Sequence, residues 1–461
     1  MTPGNRGAGS DAWRAWSART TRRRLTAGAV GLTGVLALAG CGSTGGGPPT
    51  GTAGAKGKFL FWQEGTSELA KQLWGTMQAS FKEAYPNIEF QIDSTPLAAG
   101  QSRDDKLFAM LGAGTAWDVW QRDIPPSYQQ PLVDKKSVLA LDEYYANMPN
   151  LKRIHSWARG RSKLFGKTWG VPHEIEFIPI FYNKNVWEKA GIKQAPRTWD
   201  EFTKLNATLK SSGALPLNIA RGRTNPGHNY SIYLMGLIGK DGFEDLLYKD
   251  KRWDQTPGVE KAAQTMLDFM RQGWIPPDNQ TGSYDLNADM QNGKLAMWGN
   301  GTWNVATFEQ RKRETPGFDY DFFIPPSQDA KIKPTIAGGI GGGFSVWSET
   351  KDRQAAVTFC DFLMSPTAQK HWIEILFQVA PVPFKPEDYR VPAAMSGALK
   401  TIASGQEMGY NVSVVVPAQF VDTYWDGLID VINQKQTPKE WAGKLQQEWD
   451  TAKRENRTPK P

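Results

Sequence analysis

From Lys58 onward the apolar positions follow two alternating periods. "KFLFWQ", "NIEFQID" and "WDVWQ" are short, dense apolar runs of the kind that form buried strands, and turn or polar residues bound each of them. Between them, "SELAKQLWGTMQASFKEAY" and "DDKLFAMLGAG" place apolar residues every three or four positions, the period of an amphipathic helix. Strand, helix, strand, helix, strand predicts a parallel α/β unit, whose ligands sit beyond the carboxyl ends of the strands. That rule puts Trp62, Gln63 and Glu64, and the run from Trp120 through Arg122 to Asp123, at a candidate site. Trp62 has a second reading, as a ring packed under the following helix.

A second α/β body begins at "IEFIPIFYNK", expected as one long strand over 175–184, and continues through the helix "TWDEFTKLNATLKSS" with Thr198 as its N-cap. It runs on through "LPLNIA", the helix "VEKAAQTMLDFMRQG" and "GKLAMWGNGTWN", where a strand ends at Trp298 and Thr302 is placed to cap a helix carrying Trp303. The Pro-rich "FIPPSQDAKIKP" marks a return crossing, and "AGGIGGGFSVW" a strand rejoining the first body. A helical tail in several pieces closes the chain between Val415 and Ala452.

Length and charge then narrow the picture. The chain has 461 residues with 40% hydrophobic content, enough for two domains that each bury a core. Most of the net charge of +7 lies in the first 40 residues, which hold six arginines against Asp11 alone; the remainder has 48 basic and 46 acidic residues. A nearly balanced body offers no footprint for nucleic acid. The first 40 residues read as an export signal: an arginine cluster, a Gly/Ala-rich apolar stretch, then Leu38-Ala39-Gly40-Cys41. "TRRRL" resembles a twin-arginine signal and "LAGC" a lipobox, in which Cys41 is lipidated and anchors the chain outside the cytoplasmic membrane. Residues 41–57 are Gly-, Thr- and Pro-rich, a tether. Cys360, on an apparent helix, is expected to be a buried, inert thiol.

Candidate chemistry is sparse. His155, His173, His228 and His371 stand alone in sequence, and no phosphate loop, dinucleotide fingerprint or nucleophile elbow is present. No metal or other cofactor is therefore expected. Glu174 and Glu176, two apart on a strand, share one face about 7 Å apart. That places them side by side, where acid catalysts of glycoside cleavage would flank the bond. As paired acceptors they suit the hydroxyls of a polyol, or one of them serves a structural ion pair. Of 19 tryptophans, 17 follow the leader, more than core packing usually uses. Trp303, at a helix start, and Trp298 are placed to stack on sugar faces.

Taken in order, "FLFWQEG", "YPNIEFQI", "TAWDVW", "GKTWGVPHEIEFIPIFYNKNVWEKAGI", "NGKLAMWGNGTW" and "GGGFSVWSETKDRQAAVTFCDFLMSPTAQKHW" resemble the family 1 extracellular solute-binding proteins, the maltose-binding-protein-like carbohydrate receptors of bacterial ABC importers. The resemblance implies a two-lobe periplasmic-binding-protein-like α/β fold with an interlobe cleft and hinge crossings near 172–175, 325–332 and 381–386. Residues 58–172 and 331–382 would form one lobe, 173–330 and 383–455 the other. It implies sugar ligands at Glu176, favoured over Glu174, and at Trp303, with polar contacts from Gln63, Glu64 and Thr66. Arg122, Asp123, Gly339 and either Tyr424 or Trp425 complete the set. A monomer delivering sugar to membrane permease subunits, with no chemistry of its own, is the function implied. The departure from the family pattern is Trp117, where a proline is usual. A secreted carbohydrate-active enzyme using Glu174 or Glu176 with Asp285, and a cell-wall adhesion module, are the alternatives.

Overall fold

Phe59 and Phe61 point to one side of the first strand and find the apolar stripe of the helix that follows it. The computed structural model describes residues 55–63, 65, 67–98, 101–219, 224–276, 285–403 and 408–459. Strands β1 (Gly57–Trp62), β2 (Ile88–Asp93) and β3 (Val119–Asp123) are parallel. The later strands β4 (Val171–Pro172), β5 (Ile175–Phe177), β6 (Ile180–Asn183), β7 (Leu215–Leu217), β8 (Leu295–Gly299), β9 (Tyr320–Phe323), β10 (Gly338–Ile340) and β11 (Gly342–Val346) complete two sheets and a joining pair. The first sheet runs β2-β1-β3-β11-β4, the second β9-β6-β8-β7.

Each sheet carries its own lobe. The helix Glu68–Ala84 starts at Ser67, whose hydroxyl accepts from the Ala70 N–H at 3.2 Å, and buries Leu73, Trp74, Met77 and Phe81 on one face. These pack on Phe59, Phe61 and Phe359 of the helix Arg353–Phe362. In the second lobe the helices Trp199–Ser211, Pro257–Arg271, Ala418–Ile432 and Pro438–Arg454 bury Phe202, Met266, Phe420, Trp441 and Trp449. Thr198 caps the first of them, accepting from Glu201 N–H. Cys360 is a buried free thiol, and burial pushes its ionisation far above the ordinary range.

The expected long strand over 175–184 is two strands. Pro179 has no N–H to continue a ladder, so the chain changes sheets there, and the Ile178 N–H turns to Ala337. Residues before the break form β5, which joins the lobes: it pairs with β10 on one edge and bridges Val379 on the other. The segments side by side at the junction are therefore 175–177, 338–340 and 379. The middle crossing comes later than 325–332 because Gln328 N–H bonds to the Gly236 carbonyl and Ala337 still packs in the second core. Arg161 fastens the junction, donating to the carbonyls of Gly338, Met408 and Gly409 at 3.2, 3.1 and 2.7 Å.

Candidate functional site

Alternation along β5 and the residue before it sends Glu174 and Glu176 to one face and Ile175 to the other. Both carboxyls are buried, and the His173 Nε2 lies 3.6 Å from Glu174 Oε1. They fit because β10 and β11 are glycine-rich opposite them. A Cβ on Gly341 would lie 2.1 Å from Glu176 Oε1, and one on Gly342 would lie 2.3 Å from His173 Cε1 and 3.1 Å from Glu174 Oε1. The glycine run is thus a cradle that lets two carboxyls press against backbone.

Asp123, at the carboxyl end of β3, faces the same space. Its charge acts on Glu174, Glu176, His173 and, from the second lobe, His228. Burial, reinforced by Asp123, pushes Glu174 up to about 8; burial, Glu174 and Asp123 together hold Glu176 well above the usual carboxylate range. Arg103 offsets part of this, its guanidinium 3.0 Å from Asp123. Burial lowers His173 and His228 to about 4, so both are neutral at pH 7. Their convergence was invisible in sequence, where each stands alone.

The raised Glu174 carboxyl has a stability consequence with a definite sign. Its folded pKa lies above its ordinary 4.5, so its ionised form is disfavoured in the fold. Stability is fullest below pH 4.5 and declines as pH rises through about 8. The melting temperature of the empty protein, measured against Glu174→Gln from about pH 5 to 9, should therefore lose ground as pH rises. A constant difference between the two proteins would dismiss a buried, destabilised carboxyl at this position.

Aromatic rings come from the second lobe. Trp303, half-buried, folds over Gly301 and meets His228 edge-on with ring centroids 5.4 Å apart. Trp425 is half-buried against Gly227, the residue before His228, so both indoles flank the start of the helix Thr224–Tyr248. Thr302 does not cap the helix beginning at Val305; it lies in a tight 3₁₀ turn, and its hydroxyl instead accepts from Phe177 N–H at 3.4 Å.

Several expected ligand residues are placed otherwise. Trp62 is fully buried, stacked on Trp117 at 4.6 Å, because strand alternation puts it with Leu60 on the sheet face opposite Phe59 and Phe61, under the helix Arg103–Ala113. Arg122 is 3% exposed and committed: it donates to Asp104 at 2.7 Å and to the Tyr128 carbonyl at 2.8 Å, and lies over the Phe108 and Tyr128 rings. Burial would raise the Asp104 carboxyl, yet Arg122 and Arg103 hold it below its ordinary value. Trp298 is buried against Phe308 and directs its indole N–H at the Asn225 side chain. Tyr424 is fully buried, its hydroxyl donating to the Gly227 carbonyl at 2.7 Å, which leaves Trp425 as the ring nearer the site. Gly339 faces Arg161, since a Cβ there would meet the guanidinium at 2.2 Å. Gln63 is buried at the end of β1 and bonded to Ser94 at 2.6 Å. Glu64, Thr66 and Cys41 lie outside the described residues.

Three comparisons bear on this arrangement. The family model of bacterial extracellular solute-binding proteins matches residues 62–370. A putative binding protein of Brucella abortus is 29% identical over 231 residues, 46% of this chain and 49% of that one. The multiple sugar-binding protein of Streptococcus mutans is 24% identical over 245 residues, 50% of this chain and 56% of that one. The chain thus spans about half the length of the curated relatives it matches. A solved chitin oligosaccharide binding protein superposes with a TM-score of 0.71 at 19% identity, covering 86% of this chain and 99% of that one. At that identity the likeness is one of fold, two lobes joined by crossing strands.

Proposed function

Because the chain belongs to the bacterial extracellular solute-binding protein family, we propose that it is the carbohydrate receptor of an ABC importer, closing two lobes on a sugar or oligosaccharide and presenting it to membrane permease subunits. The observation that carries the reading is the pair Glu174 and Glu176: two buried carboxyls at the start of a joining strand, within the field of Asp123, which also acts on His228, the ring that Trp303 of the other lobe meets edge-on. Buried carboxyls are costly unless hydrogen-bonded, and a sugar's hydroxyls would supply donors to such a pair. The names of relatives point the same way: one is a multiple sugar-binding protein, another a diacetylchitobiose binding protein. Carboxyls side by side on one strand face favour holding a glycan over cleaving it.

The lobes would turn about residues 175–177, 338–340 and 379, and closure is a population shift driven by contacts that exist only when the lobes meet. Titrating the protein with mono- and oligosaccharides while following tryptophan fluorescence over time tests the reading. A saturable signal that then stays constant supports a receptor; one that decays as glycan is consumed supports an enzyme. Trp303→Ala should weaken the responding sugar by about 1 to 3 kcal/mol through loss of a stacking face. Unchanged affinity would move the site away from Trp303.

We further propose that Cys41 carries a lipid anchor, on the strength of the arginine cluster, the small-residue approach and the tether that follows. Cells fed a clickable fatty acid should label the wild-type protein and leave Cys41→Ser unlabelled; equal labelling of both would place the lipid elsewhere or nowhere.

A further inference from the structure

The first sheet has two ends. At one, β3 stops at Asp123 beside Gly342 of β11, and Glu174 lies against that glycine. At the other, β1 begins at Gly57, where the tether from Cys41 enters. β1 and β3 are parallel with Phe61 beside Val119, so Gly57 lies about 13 Å beyond the start of β3 on that side. β11 runs antiparallel to β3 and finishes at this end, Val346 beside Val119. β4 runs antiparallel to β11, Val171 beside Phe344, so the residues before Val171 lead back to the same end. Two bonds hold them there: the Leu139 N–H donates to the Val346 carbonyl and the Leu141 N–H to the Thr168 carbonyl, each at 2.9 Å. The hairpin of strands Lys163–Leu164 and Lys167–Thr168 therefore hangs from the edge at which the tether enters.

The turn of that hairpin has an uncommon composition. Phe165 and Gly166 both take left-handed backbone, with φ of 52° and 75°. Two-residue hairpin turns require this, and Asn-Gly or Asp-Gly usually supplies it; a bulky residue at the first position is strained. Phe377, the other aromatic residue with positive φ among the described residues, is half-buried against the first core, whereas Phe165 is 42% exposed. The Phe165 ring thus burdens the turn and recovers little of that through burial. Residues 163–167, Lys-Leu-Phe-Gly-Lys, hold two bases and no acid, and both lysines are exposed. Asp142 sits at the base of the hairpin, accepting from the Thr168 N–H and hydroxyl.

We propose that this hairpin is a membrane-contact element: Phe165 seats at the headgroup level of an anionic bilayer, with Lys163 and Lys167 against the lipid phosphates. The proposal rests on the reading that Cys41 carries a lipid anchor. An aromatic ring flanked by basic residues is the general form of an interfacial contact. One ring and two lysines bind a bilayer weakly when free. A Gly-rich chain of about 16 residues, however, has a mean span of about 20 to 24 Å, and would hold the hairpin near the surface at about millimolar effective concentration. With that edge on the bilayer, the opposite end of the sheet, and the cleft with it, faces the medium.

The test uses the whole exported protein with 4-fluorophenylalanine in place of Phe165, reconstituted through its own anchor into nanodiscs of phosphatidylcholine with or without phosphatidylglycerol. Spin-labelled lipid should broaden the fluorine resonance about threefold or more in the anionic discs relative to the neutral ones, and Lys163→Gln combined with Lys167→Gln should remove that difference. A line width indifferent to spin-labelled lipid in the anionic discs overturns the contact, and equal broadening in both kinds of disc overturns its dependence on anionic lipid. Protein that does not enter the discs at all refutes the anchor instead. Anionic vesicles at millimolar lipid then replace the tether, and an unbroadened resonance in their presence overturns the contact on its own account. Phe165→Asn, which suits the left-handed turn, should leave the melting temperature level or raise it. A fall of several degrees would give the ring a structural role and remove the reason for seeking its partner outside the chain.

Discussion

Replacing Glu176 by glutamine is expected to weaken binding of the proposed sugar ligand by about 3 kcal/mol, roughly 150-fold, without lowering the thermal stability of the ligand-free protein. The two halves of that result have one cause. Glu176 is a buried carboxyl with Glu174 and Asp123 nearby. Burial is the largest influence lifting its ionisation, so holding its charge costs the fold free energy. An uncharged amide of the same shape removes that cost, and the melting temperature should stay level or rise. In the proposed closed complex the same carboxylate would accept hydroxyl donors with charge-assisted strength, which the amide matches poorly. A site strained when empty and satisfied when full is a common form of functional compromise. Gly341→Ala gives an independent check, because its Cβ would occupy the space 2.1 Å from Glu176 Oε1 and force the carboxyl out of its cradle. Both variants should lose affinity. A fall of several degrees in melting temperature for Glu176→Gln, with affinity intact, would return Glu176 to a purely structural role.

How much of this could be read from sequence depends on whether a residue's role is set by its neighbours in the chain. The strands β1, β2 and β3 and the helices between them follow from apolar periods that are local, and so does the shared face of Glu174 and Glu176. Thr198 caps its helix as expected because capping is decided within four residues. Trp62 was ambiguous for a different reason. Alternation fixes which face it takes, but only the placement of the helix Arg103–Ala113 and of Trp117 makes that face a core. Arg122 looked available until Asp104 and the Tyr128 carbonyl, brought by other elements, took its donors. The histidines fail in the opposite sense: His173 and His228 are 55 residues apart and meet the same Asp123 only because the lobes face each other. Pro179 is a signal present in the sequence, since a missing N–H inside an apparent ten-residue strand marks where one sheet ends. The glycine-rich stretch at 338–343 reads in sequence as part of a strand rejoining the first body; its purpose as a cradle appears only once the side chains opposite are known.

Asp361→Ala should destabilise the protein by about 3 kcal/mol while leaving sugar affinity unchanged, the reverse of the Glu176 result. Asp361 sits near the end of the helix Arg353–Phe362 with no solvent exposure. Its carboxyl accepts from the Asn150 N–H and side-chain amide, each at 2.8 Å, and from the Leu151 N–H at 2.9 Å. Those donors belong to Asn150 and Leu151, at the start of the tight turn Leu151–Arg153 and more than two hundred residues earlier, so one side chain pins that turn to the back of the first lobe. Burial raises the Asp361 carboxyl even against these donors, which means its charge persists because the donors are there, and they are satisfied because it is. Alanine strands three donors, each worth about 1 to 3 kcal/mol when left unmade, with some relief where water can enter. Asp361→Asn should fall between, since its amide oxygen still accepts but its NH₂ faces donors. For a folded body of about 400 residues the alanine variant should melt roughly 3 to 4 °C lower. A shift under about 2 °C would mean that water replaces the carboxylate at little cost. Among the described residues Asp361 contacts none of the cleft groups, so a matching loss of sugar binding would instead show that the turn at 151–153 helps set the cleft's geometry.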